Sequence, residues 1–159
     1  MIVEYESKYD EEIKKLLVEL QQHIVQIDKE HYNIVGNNYK EEYFNKTIEE
    51  IEKYNGKMYL YKENKEICGL VVGLINNEEM DTYDFRAPKR GRISELVVLN
   101  NCRKKGYGKI LLNSMEKYLK SVGCEDILIE VFAYNDGAMK FYEKNGYHIR
   151  TTEMIKKEI

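Results

Sequence analysis

Two glycines one residue apart follow a basic run in the stretch RKKGYGK, residues 103–109. Glycine has no Cβ, so it lets the backbone curl and lets a ligand approach closely. An apolar stretch follows the turn and predicts a helix, whose N-terminal amides favour an anion such as a phosphate. Arg103, Lys104 and Lys105 add positive charge beside those amides. The turn therefore suits a phosphate or pyrophosphate, although a plain strand-to-helix corner would also explain the glycines.

Two common phosphate motifs do not fit this turn. A P-loop needs a glycine five residues before its Gly-Lys pair and a Ser or Thr after it, where this chain has Arg103 and Ile110. A dinucleotide fingerprint needs a third glycine where this chain has Leu111, and it belongs to an early β-α-β unit. The pattern that remains is Arg-x-x-Gly-x-Gly after a strand that ends in Val-Val.

The turn lies within a predicted order of β-α-α-β-β-β-α-β-α-β, with room for one more closing strand. Apolar spacing of three and four residues predicts helices after Asp10, which we expect to be an N-cap, and around 44–51, after the glycine turn, and after Asn135. Strands are predicted at 2–5, 57–63, 66–75, 92–99 and 126–132, and one or two more within 147–159. We therefore expect a single domain over residues 1–159, a mixed α/β fold with a mostly antiparallel sheet of six to seven strands and about four helices.

Composition excludes several classes of protein. A net charge of −3 and a pI near 5.8 argue against general affinity for nucleic acid. No apolar run is long enough for a membrane helix, and the first residues do not resemble a signal peptide. The three cysteines are odd in number and widely spaced, which indicates reduced thiols in a cytoplasmic protein. They do not pair with the histidines at zinc-ligand spacing, so we expect no metal site.

Two motifs in order resemble the GNAT superfamily of acyl-CoA N-acyltransferases. The first is ISELVVLNNCRKKGYGKILL (93–112), and the second, NDGAMKFYEKNGY (135–147), follows it after the next predicted strand. The resemblance spans roughly residues 57–150. It implies acetyl-CoA as co-substrate, with its pyrophosphate on the backbone amides of the glycine turn and its pantetheine arm in a slot where two neighbouring strands separate. The Val98 N–H would then stabilise the oxyanion that forms on attack.

The resemblance also implies a set of site residues in this chain. Tyr142 matches the position of the family's usual general acid, and Glu95 is the candidate proton acceptor. The cofactor would contact Leu96, Val97, Val98, Arg103, Lys104, Lys105, Gly106, Tyr107, Gly108, Lys109, Asn135 and Tyr142.

Three of these residues have an alternative structural interpretation. Tyr142 could simply pack its helix against the sheet. Glu95 lies in an apolar strand, where a charge is costly unless it is paired or wet, so it could face solvent or pair with Arg90 or Arg92. Asn135 suits a helix N-cap as well as a cofactor contact.

The acceptor implied by the family is a primary amine of a small molecule or a peptide. Acidic and tyrosine side chains in 23–39 and 76–90 could surround such a cation; they are Asp28, Glu30, Tyr32, Tyr39, Glu78, Glu79, Asp81 and Tyr83. We expect an N-acetyltransferase, and a homodimer by analogy with relatives. The alternatives are an acyl-CoA-binding module without turnover and an unrelated domain without ligand.

Overall fold

A five-stranded sheet organises the residues described by the computed structural model, 1–76 and 80–157. The strands follow each other in space as they do in sequence, from β1 to β5. The first four are antiparallel neighbours, and β5 runs parallel to β4. The elements are β1 (Ile2–Glu4), α1 (Asp10–Ile27), α2 (Tyr39–Lys53), β2 (Lys57–Glu63), β3 (Glu66–Asn76), β4 (Arg90–Val98), α3 (Tyr107–Ser121), β5 (Asp126–Ile129) and α4 (Asp136–Lys144).

The sheet is covered by helices on both faces. Leu16 and Leu17 of α1 and Phe44 of α2 pack on one face, whereas Leu111 and Met115 of α3 pack on the other. Strand β3 is buried from residue 67 to 75 because it lies between the two layers. This explains why its sequence is apolar at consecutive positions rather than at alternate ones.

Strands β4 and β5 are joined at one end only. They pair from Arg90 with Asp126 to Ile93 with Ile129. A buried Arg90 guanidinium binds both carboxylate oxygens of Asp126, at 2.7 and 2.8 Å, and fixes this end of the pair. Beyond Ile93, β4 continues beside β3 while β5 ends, so the separation of the two strands expected from the resemblance is present.

An extra residue in β4 changes which face its side chains occupy. Val72 of β3 lies opposite Glu95, and the next residue, Gly73, lies opposite Ile93, so Ser94 forms a bulge. In a regular strand Glu95 would share the face of Ile93, which packs against α3. The bulge instead directs Glu95 toward α2.

The predicted mixed α/β class, mostly antiparallel sheet and four helices are confirmed, but the sheet has five strands instead of six to seven within the described residues. No strand forms in 147–157, where Ile149, Met154 and Ile155 are exposed. A segment forms a strand only where an edge pairs with it, and sequence pattern does not reveal that edge. Strand β5 is shorter than expected for the same reason, and Asp10 begins α1 instead of capping it. Among the described residues, no helix combines the length and the apolar character required to cross a bilayer.

Candidate active site

The glycine turn presents a row of unpaired backbone amides. Helix α3 begins at Tyr107 without a side-chain cap. The N–H groups of residues 104–109 donate no hydrogen bond within the described part of the chain, and the first helical bond runs from Ile110 N to Gly106 O at 3.2 Å. We call residues 104–109 the amide cup. Gly106 has φ +83°, a left-handed conformation that favours glycine. Such a row of donors at a helix N-terminus suits an anion.

The charged side chains around the amide cup have partners of their own. Lys105 Nζ lies 3.0 Å from Glu63, which also accepts a hydrogen bond from the Tyr107 hydroxyl. These two contacts hold the pKa of Glu63 below its usual range, the one from Tyr107 contributing most. Arg103 Nε donates to Val98 O at 3.0 Å and thereby fixes the end of β4. Glu63 therefore offsets part of the positive charge that the sequence places at the turn.

One edge of β4 is open beside the amide cup. The Leu99 N–H donates to Cys68 O of β3 at 2.9 Å, and backbone groups alternate in direction along a strand. Val98, and by the same alternation Leu96, therefore direct their N–H and C=O groups away from β3. Strand β5 does not pair with β4 on that side beyond Ile93. An extended ligand could hydrogen-bond to this edge as an additional strand.

Glu95 is a buried carboxyl group on the opposite face of β4 from α3. Its side chain is 8% exposed and accepts a 2.6 Å hydrogen bond from the Tyr43 hydroxyl of α2. Burial raises the pKa of Glu95 to about 7, although the Tyr43 hydrogen bond acts in the opposite direction. The solvent-facing alternative is wrong, and so is the pairing with Arg90, which binds Asp126. A carboxyl with this pKa exchanges protons readily at neutral pH.

A cavity of about 320 Å³ opens beside Glu95, between α2 and the ends of β3, β4 and β5. Its lining contains aromatic, basic and acidic side chains, which are those of Tyr43, Phe132, Lys46, Arg92, Glu50 and Glu95. Lys46 lies 3.7 Å from Glu50, and Arg92 lies 3.6 Å from Glu130. The cavity has room for a small polar molecule or the end of a peptide.

Tyr142 of α4 lies on the other side of the sheet, within the α3 layer. Its ring packs edge-on against Phe141 and Tyr147, and its hydroxyl has no hydrogen-bond partner in 1–76 or 80–157. Burial raises the pKa of Tyr142 to about 12, and the nearby Glu95 charge adds to the effect. The phenol is therefore protonated at neutral pH, and both the packing role and a proton-donating role agree with this position.

The remaining candidates divide between structural contacts and the surface. Asn135 caps α4, since its Oδ1 accepts from the Ala138 N–H at 3.1 Å, as predicted. Asp28 was expected near the acceptor, but it is buried and its carboxylate accepts bonds from residues 30–33 that hold the loop after α1. Tyr83 is fully exposed, and Glu78 and Glu79 lie outside the described residues. Tyr39 stacks on Tyr43 at 4.9 Å.

The face of α2 that contacts Glu95 was not predicted from the sequence. Its polar residues recur at helical spacing, at Tyr39, Tyr43, Lys46 and Glu50, and so share one face of the helix. That spacing was a usable signal, because an amphipathic helix has no need of aromatic residues on its polar side. Only the structure shows that this face lies over β4.

Comparison with known families agrees with the motif order. The sequence model of the acetyltransferase (GNAT) family matches residues 20–147. The chain belongs to this family. An N-alpha-acetyltransferase of Sulfurisphaera tokodaii is 26% identical over 106 residues, which cover 63% of this chain and 61% of the relative. An acetyltransferase of Yersinia enterocolitica is 32% identical over 94 residues, or 59% and 62% of the two chains. Both matches thus span less than two thirds of the relative's own length.

Solved structures show the same GNAT fold over the whole chain. A mutant protein from Bacillus halodurans is 18% identical with a TM-score of 0.88, covering 100% of this chain and 99% of that one. The aminoglycoside N-acetyltransferase AAC(6')-Iy, solved in complex with CoA, is 11% identical with a TM-score of 0.71, and the same shares of the two chains align. At these identities the likeness concerns the fold alone.

Proposed function

We propose that this GNAT protein transfers the acetyl group of acetyl-CoA directly to a primary amine of a small molecule or peptide. The observation that carries the proposal is the open edge of β4 at Leu96–Val98. It lies between the amide cup on one side and the buried Glu95 carboxyl on the other. A carrier bound along this edge would bring its thioester to a proton acceptor and a proton donor.

The residues around the open edge fit coenzyme A. The amide cup offers main-chain donors to a diphosphate. The N–H and C=O groups of Leu96 and the N–H of Val98, which are directed away from β3, suit the amides of the pantetheine arm, which would pair as an additional strand. The CoA-bound state of the structural neighbour AAC(6')-Iy supports this choice of ligand. Coenzyme A would supply the activated acetyl group.

Direct transfer needs a neutral amine, and Glu95 supplies the proton acceptor. A lysine-type amine has a pKa of about 10.4 and is largely protonated at neutral pH. Glu95, with a pKa of about 7, accepts its proton directly or through water. The Val98 N–H stabilises the negative oxygen that develops on attack, and the Tyr142 hydroxyl gives a proton to the departing sulfur.

The acceptor amine would occupy the cavity beside Glu95. Tyr43 and Phe132 present aromatic rings to a cationic group, and Glu50 and Glu95 present carboxyl groups. The two cations of the cavity, Lys46 and Arg92, each lie near a carboxylate, so they do not make it strongly positive. These features favour a small amine or a peptide N-terminus over an acidic substrate.

A thiol-release assay over a panel of amines tests the proposal. The panel should contain mono-, di- and polyamines, amino acids, an aminoglycoside and peptides with a free N-terminus. We expect acetyl-CoA to raise the melting temperature and at least one amine to release free CoA. The double variant Glu95→Gln, Tyr142→Phe is the matched control, which should keep the thermal shift and lose the release. A shift without release from any amine would instead indicate a binding module, and no shift would reject the ligand.

We also propose that the protein forms a homodimer. Within the described residues the outer edge of β5 has no strand partner, and Ile149 and Ile155 of the segment after α4 are exposed. An open edge and exposed apolar residues favour pairing with a second copy. Light scattering should give a dimer mass, and Ile149→Lys with Ile155→Lys should give a monomer. Met80→Lys is the control at another exposed site, and a monomeric unmutated chain would contradict the proposal.

A further inference from the structure

Two of the three cysteines lie in direct contact in the core. The Sγ atoms of Cys68 and Cys102 are 2.8 Å apart, although the residues are 34 positions apart in sequence. Cys68 is 0% exposed and Cys102 is 2% exposed. Cys124 is half-buried and belongs to a different cluster, beside α3. The contact therefore concerns one specific pair, which the proposed acetyl transfer does not use.

Backbone hydrogen bonds hold the two cysteines together. Cys68 lies in β3, and Cys102 ends the short 3-10 turn Asn100–Cys102 that follows β4. Leu99 joins the two segments, because its N–H donates to Cys68 O and its C=O accepts from the Cys102 N–H, both at 2.9 Å. Tyr107 packs against both cysteines and stacks on Tyr61 at 4.0 Å. The sulfurs are thus brought together by the same framework that positions Arg103 and the amide cup.

We propose that Cys68 and Cys102 are a site of reversible oxidation, at which a disulfide joins β3 to the turn that leads into the amide cup. The sulfur separation is only roughly 0.8 Å longer than an S–S bond, so closure needs little movement. A peroxide can serve as the oxidant. It converts one thiol to a sulfenic acid and releases water; the second sulfur then attacks, the S–S bond forms and a second water leaves.

The same residues suit a metal ion less well. Glu66 is the one further ligand-bearing side chain that lies with the two cysteines in the described residues. A tetrahedral zinc site needs four ligands, with sulfurs about 3.8 Å apart when each Zn–S bond is near 2.3 Å. The observed sulfurs are closer together than that, and Glu66 already accepts a hydrogen bond from the Asn101 side chain at 3.4 Å.

Oxidation of the pair should be slow. Burial raises the pKa of the Cys68 thiol to about 12, and its interaction with the Cys102 thiol adds to this effect. A thiol that stays protonated reacts weakly with peroxides. The pair would therefore respond to sustained oxidation and not to a brief exposure. Once formed, the bond closes a long loop of the chain and so restricts the unfolded state.

The experiment uses the full chain with Cys124→Ser, so that only the proposed pair can react. Hydrogen peroxide is added over hours, the protein is unfolded in an alkylating reagent, and the intact mass is measured. We expect the loss of two hydrogens with neither thiol alkylated. The melting temperature should rise by about 10 °C, and dithiothreitol should reverse both changes.

Control variants separate a bonded pair from other outcomes. Cys68→Ala and Cys102→Ala in the same background should show no rise in melting temperature and leave one thiol that is alkylated or overoxidised. If these variants do not fold, tryptic mapping of the unmutated chain for the peptide that links residues 68 and 102 decides. Two alkylatable thiols after oxidation, intermolecular dimers, or an unchanged melting temperature would overturn the proposal. So would a zinc-bound protein that resists peroxide until EDTA is added.

Discussion

The Glu95 carboxyl titrates close to neutral pH, since burial raises its pKa to about 7. The cost of burying the charge is the largest effect, and the nearby Glu50 acts in the same direction. Tyr43 opposes both, because its hydroxyl stabilises the ionised form at 2.6 Å. Tyr43 is therefore a positioning residue that also tunes the proposed proton acceptor.

Replacement of Tyr43 should move the pH profile of the reaction. The Tyr43→Phe variant loses the hydrogen bond that lowers the pKa of Glu95, so the acidic limb of kcat/KM should shift to higher pH. Glu95→Gln should remove that limb and reduce kcat by about 100-fold. The measurement is kcat/KM from pH 5 to 9 with two amines of different pKa. If the acidic limb of kcat/KM instead shifts with the pKa of the amine and is the same in both variants as in the unmutated chain, the role of Glu95 is contradicted.

Replacement of Tyr142 should slow turnover without loss of cofactor affinity. Tyr142→Phe keeps the ring packing and removes only the proton that the departing sulfur needs, so kcat should fall by about 100-fold. Binding of acetyl-CoA, measured by calorimetry, should change little. Tyr118→Phe is the matched control, since that hydroxyl contacts Asn55 O far along α3. If the Tyr142→Phe and Tyr118→Phe variants have equal kcat, Tyr142 has only a packing role.

At the scale of elements, the turn between β4 and α3 uses its two glycines differently. Gly106 is left-handed, and a Cβ there would meet no atom of the protein. Gly108 lies within α3, and its Cβ would make ordinary contacts of 3.6–3.8 Å with Phe141 and Val98, beside the open edge of β4. Gly106 therefore allows the left-handed backbone conformation of the turn. Gly108 instead leaves free the space next to the proposed pantetheine slot.

Alanine substitutions should separate these two uses. Gly106→Ala should destabilise the protein by about 1 kcal/mol, because alanine is strained at positive φ. Gly108→Ala should keep or slightly raise stability, since alanine favours a helix, but the KM for acetyl-CoA should rise several-fold. Urea unfolding and initial rates measure the two effects. Gly137→Ala at the start of α4 is the control. An unchanged KM in Gly108→Ala would show that nothing binds against that position.

At the scale of the whole molecule, the buried Glu95 makes stability depend on pH. Its folded-state pKa lies above its value in the unfolded chain, so the folded protein holds this proton more tightly. The contribution to stability is complete below pH 4.5 and is lost as the pH rises to about 7. Above this range the folded chain contains a buried charge. This lowers the free energy of unfolding by about 3 kcal/mol relative to its value below pH 4.5.

Removal of that charge should stabilise the protein in alkaline solution. Glu95→Gln should raise the free energy of unfolding at pH 8 relative to the unmutated chain, and the gain should be much smaller at pH 5. Urea unfolding at both pH values measures the difference. Glu130→Gln removes a carboxylate that is largely exposed and should not reproduce it. A gain for Glu95→Gln that is equal at both pH values would mean that Glu95 does not titrate in this range.

Much of this architecture was predictable from local patterns. The hairpin of β2 and β3, the helix after the glycine turn and the Asn135 cap were all placed correctly, because each depends on residues close together in sequence. The closing strands were not, because a strand requires a partner edge that local sequence does not specify. The family followed from two motifs in order and was confirmed by the match over residues 20–147.

The sequence by itself thus determined the order of elements, the glycine turn and the GNAT family. Tertiary structure alone decided the state of Glu95, because the bulge at Ser94 turns its carboxyl toward α2 and only burial there raises its pKa. It also decided that Tyr43 reaches Glu95 across 52 positions of sequence and that Cys68 meets Cys102 across 34. Such contacts depend on strand register and on packing between layers, which are long-range properties of the folded chain.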